Sequence, residues 1–168
     1  MEFSVVRGDI AAESADALVN AAGTSLRMGS GVAGALRRGA NGPINEEATS
    51  KGPVNLGGVA VTDAYDLNAD YVIHAAAMPH YGDGRATEAS VREAAQRSLE
   101  RADELGCESI AIPILGTGAA GFDLEAGARI VCEAVRDHDP GTLRDARVIA
   151  YTDRDARIVE TVADRVQP

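Results

Sequence analysis

One glycine spacing occurs twice in this chain, and it is a spacing that can bring backbone N–H groups close to a phosphate. Gly-x-Gly-x-x-Gly stands at residues 29–34, in the stretch RMGSGVAGALRRG, and again at residues 116–121, in the stretch ILGTGAAGFD. Each run precedes a pattern of apolar residues that predicts a helix. Because glycine has no Cβ and a helix N-terminus carries partial positive charge, both loops are candidate phosphate sites.

Neither loop fits the dinucleotide fingerprint of NAD enzymes. That fingerprint needs its turn directly after a strand and an acidic residue about 20 positions further on. The loop at 29–34 begins several residues after its strand, and the loop at 116–121 is followed by one further predicted strand. No Gly-Lys-Ser/Thr follows either loop, which excludes a P-loop. The two loops could instead hold a diphosphate from opposite sides, or be tight turns without a ligand.

Apolar runs and helical patterns alternate from one end of the chain to the other. Strands are predicted at residues 3–6, 17–20, 59–62, 71–75, 109–115 and 147–151. Helices are predicted at residues 31–38, 45–50, 86–105, 124–136 and 153–166, with Asp123 capping the fourth. This alternation implies an α/β fold with three α/β/α layers around a mixed, mostly parallel sheet. No linker or low-complexity tract interrupts it, so we expect one domain over residues 1–168.

The charge balance argues against a nucleic-acid partner. The chain has a net charge of −10, with 26 acidic and 16 basic residues, and Lys51 is its one lysine. A binder of phosphate backbones needs a basic stripe, which this composition does not supply. Few lysines beside many carboxylates resembles the proteins of salt-loving organisms, and an ordinary acidic protein is the alternative.

Cysteine usage and hydropathy indicate a cytoplasmic protein with no membrane partner. Cys107 and Cys132 match no zinc-ligand spacing, and two thiols suit a reducing compartment. The N-terminus has no apolar signal segment, and no run of about 18 apolar residues occurs.

Several segments in a fixed order resemble the macrodomains, a family of ADP-ribose-binding domains. The resemblance covers nearly the whole chain and rests on VVRGDIAAESADALVNAAG, GSGVAGAL, YVIHAAAMP and ESIAIPILGTGAAGFDLEAG. It implies a macrodomain fold, with ADP-ribose or an ADP-ribosylated protein as the partner. It implies no cofactor and no metal.

The resemblance also implies roles for particular residues. Asp9 would accept a hydrogen bond from the adenine amino group, with Ile10 beside it, since a carboxylate can only accept. From the residues alone, a turn-capping role after a strand is the favoured interpretation of Asp9, and the resemblance reverses that preference. Asn20 would lie near the distal ribose, although a polar strand end is the alternative. The diphosphate and distal ribose would be wrapped by Gly29, Ser30, Gly31, Val32, Gly116, Thr117, Gly118, Ala119, Ala120, Gly121 and Phe122.

Four further residues are given places by the resemblance or by the strand pattern. Some relatives have an aromatic residue at the end of the last strand that stacks on adenine, and either Tyr151 or Thr152 matches that position. His74 ends an apolar strand and is expected to be structural. His80 is expected in a surface loop near the mouth of the site, and neither histidine is assigned a catalytic role.

Catalysis is left open by two departures from the family pattern. One branch that hydrolyses ADP-ribosyl esters carries Asn-Ala-Ala-Asn and Gly-Gly-Val-Asp, where this chain has Gly23 and Ala33 in place of the last residues. Another branch uses a lysine nucleophile near Met-Gly-x-Gly, where this chain has Arg37 and Arg38. Arginine stays protonated and cannot replace that lysine.

Three functions therefore remain. The first is hydrolysis of mono-ADP-ribosyl-protein or O-acyl-ADP-ribose, by a backbone cradle that positions water. The second is a non-catalytic reader of ADP-ribose. The third is a nucleotide- or RNA-binding module, against which the acidic charge and few aromatic residues argue.

Overall fold

A mixed sheet with helices on both faces organises the chain. The computed structural model describes residues 1–80, 84–117 and 121–167. The strands are β1 (Glu2–Arg7), β2 (Ala17–Gly23), β3 (Val59–Asp63), β4 (Tyr71–Met78), β5 (Ser109–Pro113) and β6 (Asp145–Ala150). The helices are α1 (Gly31–Ala40), α2 (Ile44–Ser50), α3 (Glu88–Glu104), α4 (Leu124–Asp137) and α5 (Asp153–Val166). Within those ranges, no helix has both the length and the apolar character needed to span a bilayer.

The strand order places five chain segments at one edge of the sheet. The order is β1-β6-β5-β2-β4-β3, with every neighbouring pair parallel except β3, which runs antiparallel to β4. Parallel strands end at the same edge, so the segments that follow β1, β2, β4, β5 and β6 come together there. That edge is where the α/β architecture leaves room for a ligand.

Two apolar cores lie on opposite faces of the sheet. Along β2, Ala17 and Val19 belong to the core beneath α3, α4 and α5, whereas Leu18 belongs to the core beneath α1 and α2. This follows from the strand period of two, which sends successive side chains to opposite faces. Each fully buried leucine or isoleucine contributes about 1.5–3 kcal/mol to folding. The two cores fix the strand ends that form the site.

The predicted fold class and elements are confirmed. Two strands are longer than predicted: β2 runs to Gly23 and β4 to Met78, so Asn20 and His74 lie within strands and not at strand ends.

Three further local differences occur. A short 3₁₀ turn at Ile10–Ala12 was not predicted, because three residues show no periodicity. β5 ends at Pro113, earlier than its apolar run suggests, and the chain then turns toward α4. β6 ends at Ala150, which leaves Tyr151 beyond the strand.

Three helices begin with a side-chain cap. Thr87 caps α3, Asp123 caps α4 as predicted, and Thr152 caps α5, each through a side-chain oxygen that accepts a backbone N–H of the first turn. Each of these helices also has an acidic residue in its first turn, which suits the positive end of the helix dipole. The partial positive charge at these three helix N-termini is therefore already compensated by side chains of the protein.

Candidate functional site

A single cleft lies at the carboxyl edge of the parallel strands, and it has two parts. The part of about 390 Å³, which we call the Asp9 end, is lined by Gly8, Asp9, Ile10, Gly31, Val32, Ala35, Arg38, Pro113, Ile149 and Tyr151. The part of about 520 Å³, which we call the Thr117 end, is lined by residues 21–23, 25, 27, 29–33, 77, 78, 80, 114, 116 and 117. Gly31 and Val32 line both parts, so the cleft is continuous across the first turn of α1.

The N-terminus of α1 differs from those of α3, α4 and α5. Its cap residue, Ser30, makes no side-chain hydrogen bond to the helix, and its first turn contains no acidic residue. The first N–H groups of any helix have no partner within the helix. Here they begin at Gly31, where the two parts of the cleft meet. This helix end therefore offers free donors and partial positive charge to an anion in the cleft.

At each glycine of the first glycine loop, residues 29–34, a different physical reason favours glycine over a residue with a side chain. A Cβ on Gly29 or Gly31 would meet no atom within 4 Å, so the absence of a side chain there keeps the cleft open. Gly31 also has a φ of +63°, a left-handed conformation that costs other residues about 1–2 kcal/mol. A Cβ on Gly34 would lie 2.8 Å from the carbonyl oxygen of Gly29, so this glycine lets α1 pack on its own loop.

Hydrogen bonds to both neighbouring helices hold the first glycine loop. The backbone N–H of Met28 donates to Asn45 Oδ1 of α2 at 2.8 Å, and Arg37 Nη1 of α1 donates to the Met28 carbonyl at 3.1 Å. Met28 itself is buried in the core beneath α1 and α2. The loop is thus preorganised before any ligand arrives, which lowers the entropy cost of binding.

Gly116 and Thr117, which begin the second glycine loop (residues 116–121), line the Thr117 end. Gly116 has a φ of +79°, and a Cβ there would lie 2.7 Å from a methyl of Val91, so only glycine fits. Thr117 Oγ1 donates to the carbonyl of Ile114 at 3.2 Å. Gly121 also has positive φ, at +74°, and Phe122 is half-buried against the larger core. The predicted ligand residues Gly118, Ala119 and Ala120 lie outside the described residues.

Asp9 and Tyr151 stand at the mouth of the Asp9 end. Asp9 Oδ1 accepts the N–H of Ala11 at 2.9 Å, so the capping role considered for this residue is present. A carboxylate accepts at both oxygens, and Asp9 is exposed, so capping leaves acceptor capacity for a ligand. Ile10 is buried beneath it. Tyr151 is 73% exposed and lines this end, whereas Thr152 caps α5. Stacking of Tyr151 on adenine stays a prediction.

Asn20 lies in a buried polar row beneath the cleft. Asn20 Nδ2 is 3.0 Å from His74 Nδ1, and His74 Nε2 is 2.9 Å from Thr62 Oγ1. Thr62 Oγ1 donates to the carbonyl of Asp63, so it accepts from His74, and the other imidazole nitrogen must then accept from Asn20. Burial lowers the pKa of His74 from 6.5 to about 4, which keeps the ring neutral. The expected structural role of His74 is confirmed.

Within this row, Asn20 lies below the cleft wall and is not part of it. Its side chain is fully buried, and Oδ1 has no hydrogen-bond partner within the described ranges. The cleft wall is formed by the residues that follow it on β2, Ala21, Ala22 and Gly23. Its predicted contact with the distal ribose stays a prediction.

Arginines at the cleft stand out against the acidic surface. Arg27 lines the Thr117 end and Arg38 the Asp9 end, and neither has a carboxylate partner in the part of the chain that the structure describes. By contrast, Arg92 and Arg129 pair with carboxylates of α3 and α4. Neither Arg27 nor Arg38 is among the ligand residues predicted from the sequence. Their positions on either side of the first glycine loop were the available signal.

Comparison with known proteins identifies the architecture. The family model for the Macro domain matches residues 19–131. An uncharacterized protein of Mycobacterium tuberculosis is 40% identical over 156 residues, which cover 93% of this chain and 42% of the relative. The chain thus spans about two fifths of the length of its mycobacterial relatives.

Two solved structures superpose on nearly the whole chain. A macrodomain of Oceanobacillus iheyensis with ADP matches with a TM-score of 0.84 and 25% identity, covering 96% of this chain and 90% of that one. A macrodomain of Trypanosoma brucei in complex with ADP-ribose matches with a TM-score of 0.82 and 27% identity, covering 95% and 68%.

Proposed function

The chain belongs to the macrodomain family, and from this premise we propose that it binds ADP-ribose in the cleft at the start of α1. The observation that carries the proposal is the N-terminus of α1, which has no side-chain cap and no acidic first turn and lies where the two parts of the cleft meet. ADP-ribose has a matching order of groups, because its negatively charged diphosphate lies between two sugars. It would place its charge at this helix end and its sugars in the two parts of the cleft.

Adenine is assigned to the Asp9 end. There the exposed carboxylate of Asp9 accepts from an exocyclic amino group, Ile10 gives an apolar floor, and the exposed ring of Tyr151 offers a surface for stacking. The distal ribose is assigned to the Thr117 end, between the two glycine loops. Its walls are mainly backbone and small side chains, which allow close approach to hydroxyl groups.

Hydrolysis of an ADP-ribosyl ester is the second candidate, and His80 is the observation that favours it. His80 is exposed and lines the Thr117 end, where the ester would lie, and its backbone N–H donates to Thr24 Oγ1 at 3.0 Å. An imidazole at this place would act as a general base that takes a proton from the attacking water. Backbone donors of the glycine loops would stabilise the negative charge that develops on the ester oxygen.

Calorimetry with ADP-ribose, AMP and oligo(A) tests the binding proposal. ADP-ribose should bind with a micromolar dissociation constant, about −8 kcal/mol, and at least tenfold more tightly than AMP, because AMP leaves the Thr117 end empty. Equal affinity for ADP-ribose and AMP, or preference for oligo(A), would contradict it.

Turnover is tested separately with protein carrying ADP-ribose on glutamate. Release of ADP-ribose by the wild type, and at least tenfold slower release by His80→Ala with unchanged binding, would establish the second candidate. Stable binding without release would leave the protein a reader.

A further inference from the structure

A second groove adjoins the Thr117 end of the cleft. It measures about 510 Å³ and is lined by Ser25, Arg27, Asn45, Thr49, Gly52 and Pro53. Ser25 and Arg27 also line the Thr117 end. The two spaces therefore meet at these residues. We call this space the Arg27 groove.

The Arg27 groove is built from three segments that are tied to one another. A Cβ on Gly52 would lie 2.9 Å from the carbonyl oxygen of Ser25, so the segment after α2 packs directly on the loop after β2. The backbone N–H of Val54 donates to the Thr24 carbonyl at 2.9 Å. On the other side, Asn45 of α2 accepts the Met28 N–H. The groove is therefore a preformed feature of the fold.

The side chains of the groove suit a peptide with a negative charge. Asn45 uses Oδ1 on the loop, which leaves the two hydrogens of Nδ2 to donate. Thr49 Oγ1 donates to the Asn45 carbonyl at 2.9 Å, which leaves it free to accept. Arg27 is exposed at the junction and adds a guanidinium, whose planar fork matches a carboxylate.

We propose that the Arg27 groove binds the peptide segment that carries the ADP-ribosyl group, and that Arg27 favours an acidic residue beside the modified side chain. The inference rests on the proposed function, which puts the distal ribose at the Thr117 end. A group attached to that ribose leaves the cleft past Ser25 and Arg27. On a protein of net charge −10, an acidic peptide is repelled by the general surface, so a local cation determines where it binds.

The charge of the residues that line the Arg27 groove favours a peptide over a nucleic acid as the ligand. Binding along a phosphate backbone takes several cations in a row. Of the residues that line the Arg27 groove, Arg27 is charged and the other five are neutral. One guanidinium matches one or two side-chain carboxylates.

The test compares four ligands on four proteins by fluorescence anisotropy with competition. The ligands are free ADP-ribose, an ADP-ribosylated peptide with acidic neighbours, the same peptide with neutral neighbours, and an ADP-ribosylated oligonucleotide. The proteins are the wild type, Arg27→Gln, Thr49→Phe and the matched control Arg157→Gln. Arg157 is exposed on α5, away from the groove, and its substitution changes the net charge equally.

The wild type should bind the acidic peptide about tenfold more tightly than free ADP-ribose, equivalent to about 1.4 kcal/mol. Arg27→Gln should reduce this ratio to less than twofold, whereas Arg157→Gln should keep it. Thr49→Phe, which fills the groove from α2, should abolish the ratio while leaving free ADP-ribose affinity unchanged.

Contrary outcomes separate this inference from the proposed function. Equal affinity for free ADP-ribose and both peptides would overturn the inference alone, as would equal affinity for acidic and neutral peptides. Preference for the oligonucleotide would overturn the peptide as partner. Failure of the wild type to bind free ADP-ribose would instead refute the proposed function.

Discussion

Acidification should destabilise this protein through one buried histidine. The His74 ring is fully buried, and both of its nitrogens are occupied, by Asn20 and by Thr62. Burial lowers the pKa of His74 from 6.5 to about 4. The folded chain therefore resists protonation at a pH where the unfolded chain accepts it.

The sign and size of the effect follow from linkage. Between pH 6.5 and pH 4 the unfolded state holds more protons than the folded state, so stability falls as the pH falls through this window. A difference in pKa from 6.5 to about 4 corresponds to roughly 3 kcal/mol once the pH lies below both values. Roughly 2 kcal/mol of this should be lost between pH 7 and pH 5, because the folded ring stays neutral there.

Urea unfolding at pH 7, 6 and 5 measures this loss. His74→Gln is the informative variant, because glutamine can still accept and donate hydrogen bonds but does not titrate. The variant should be less stable at pH 7, since its amide fits the row imperfectly, but its stability should fall by roughly 2 kcal/mol less than that of the wild type on going to pH 5. His80→Gln is the control, because that histidine is exposed and lies outside the row.

Equal losses in the wild type and His74→Gln would refute the reasoning. They would mean that His74 does not stay neutral in the folded protein at pH 5. The direction assigned to the bond between Asn20 and His74 would then not hold at pH 5, since Nδ1 can accept only in a neutral ring.

Three substitutions around the cleft have distinct expected outcomes. Gly29→Val should leave the free energy of unfolding within about 0.5 kcal/mol of the wild type, since a Cβ there meets nothing. It should weaken ADP-ribose binding at least tenfold, about 1.4 kcal/mol, and equal affinity by calorimetry would exclude the ligand from this loop. Gly34→Ala should lower stability by about 1–2 kcal/mol in urea, because its Cβ would press on the Gly29 carbonyl, and an unchanged midpoint would contradict the close contact. Asp9→Asn should keep the cap and the melting temperature, yet lower ADP-ribose affinity about tenfold, because its amide N–H₂ would meet the adenine amino group. If Asp9→Asn binds like the wild type, adenine does not contact this residue.

Local patterns in the sequence determined the elements and the two glycine loops. The apolar periodicity of helices and strands depends on residues that are close in the sequence, so the fold class, the strands and the longer helices could be predicted from it. Asp123 as a cap and His74 as a structural residue also followed from position alone. The left-handed φ of Gly31 and Gly116 agrees with their places in the motifs.

Tertiary structure decided how those elements meet. Gly29 and Gly34 share one sequence motif, yet one keeps the cleft open and the other makes a close backbone contact, which depends on how α1 folds back on its loop. Likewise, Asn20 falls beneath the cleft because β2 continues to Gly23, and its hydrogen-bond partner His74 lies beside it on β4.

The junction at Arg27 is a second feature that only the tertiary structure decides. Arg27 comes from the loop after β2, while Asn45 and Thr49 come from α2, and nothing in their spacing predicts that they line one groove. Periodicity assigns a side chain to a face of its own element. Which residues of another element lie opposite is set by long-range packing, which one sequence does not record.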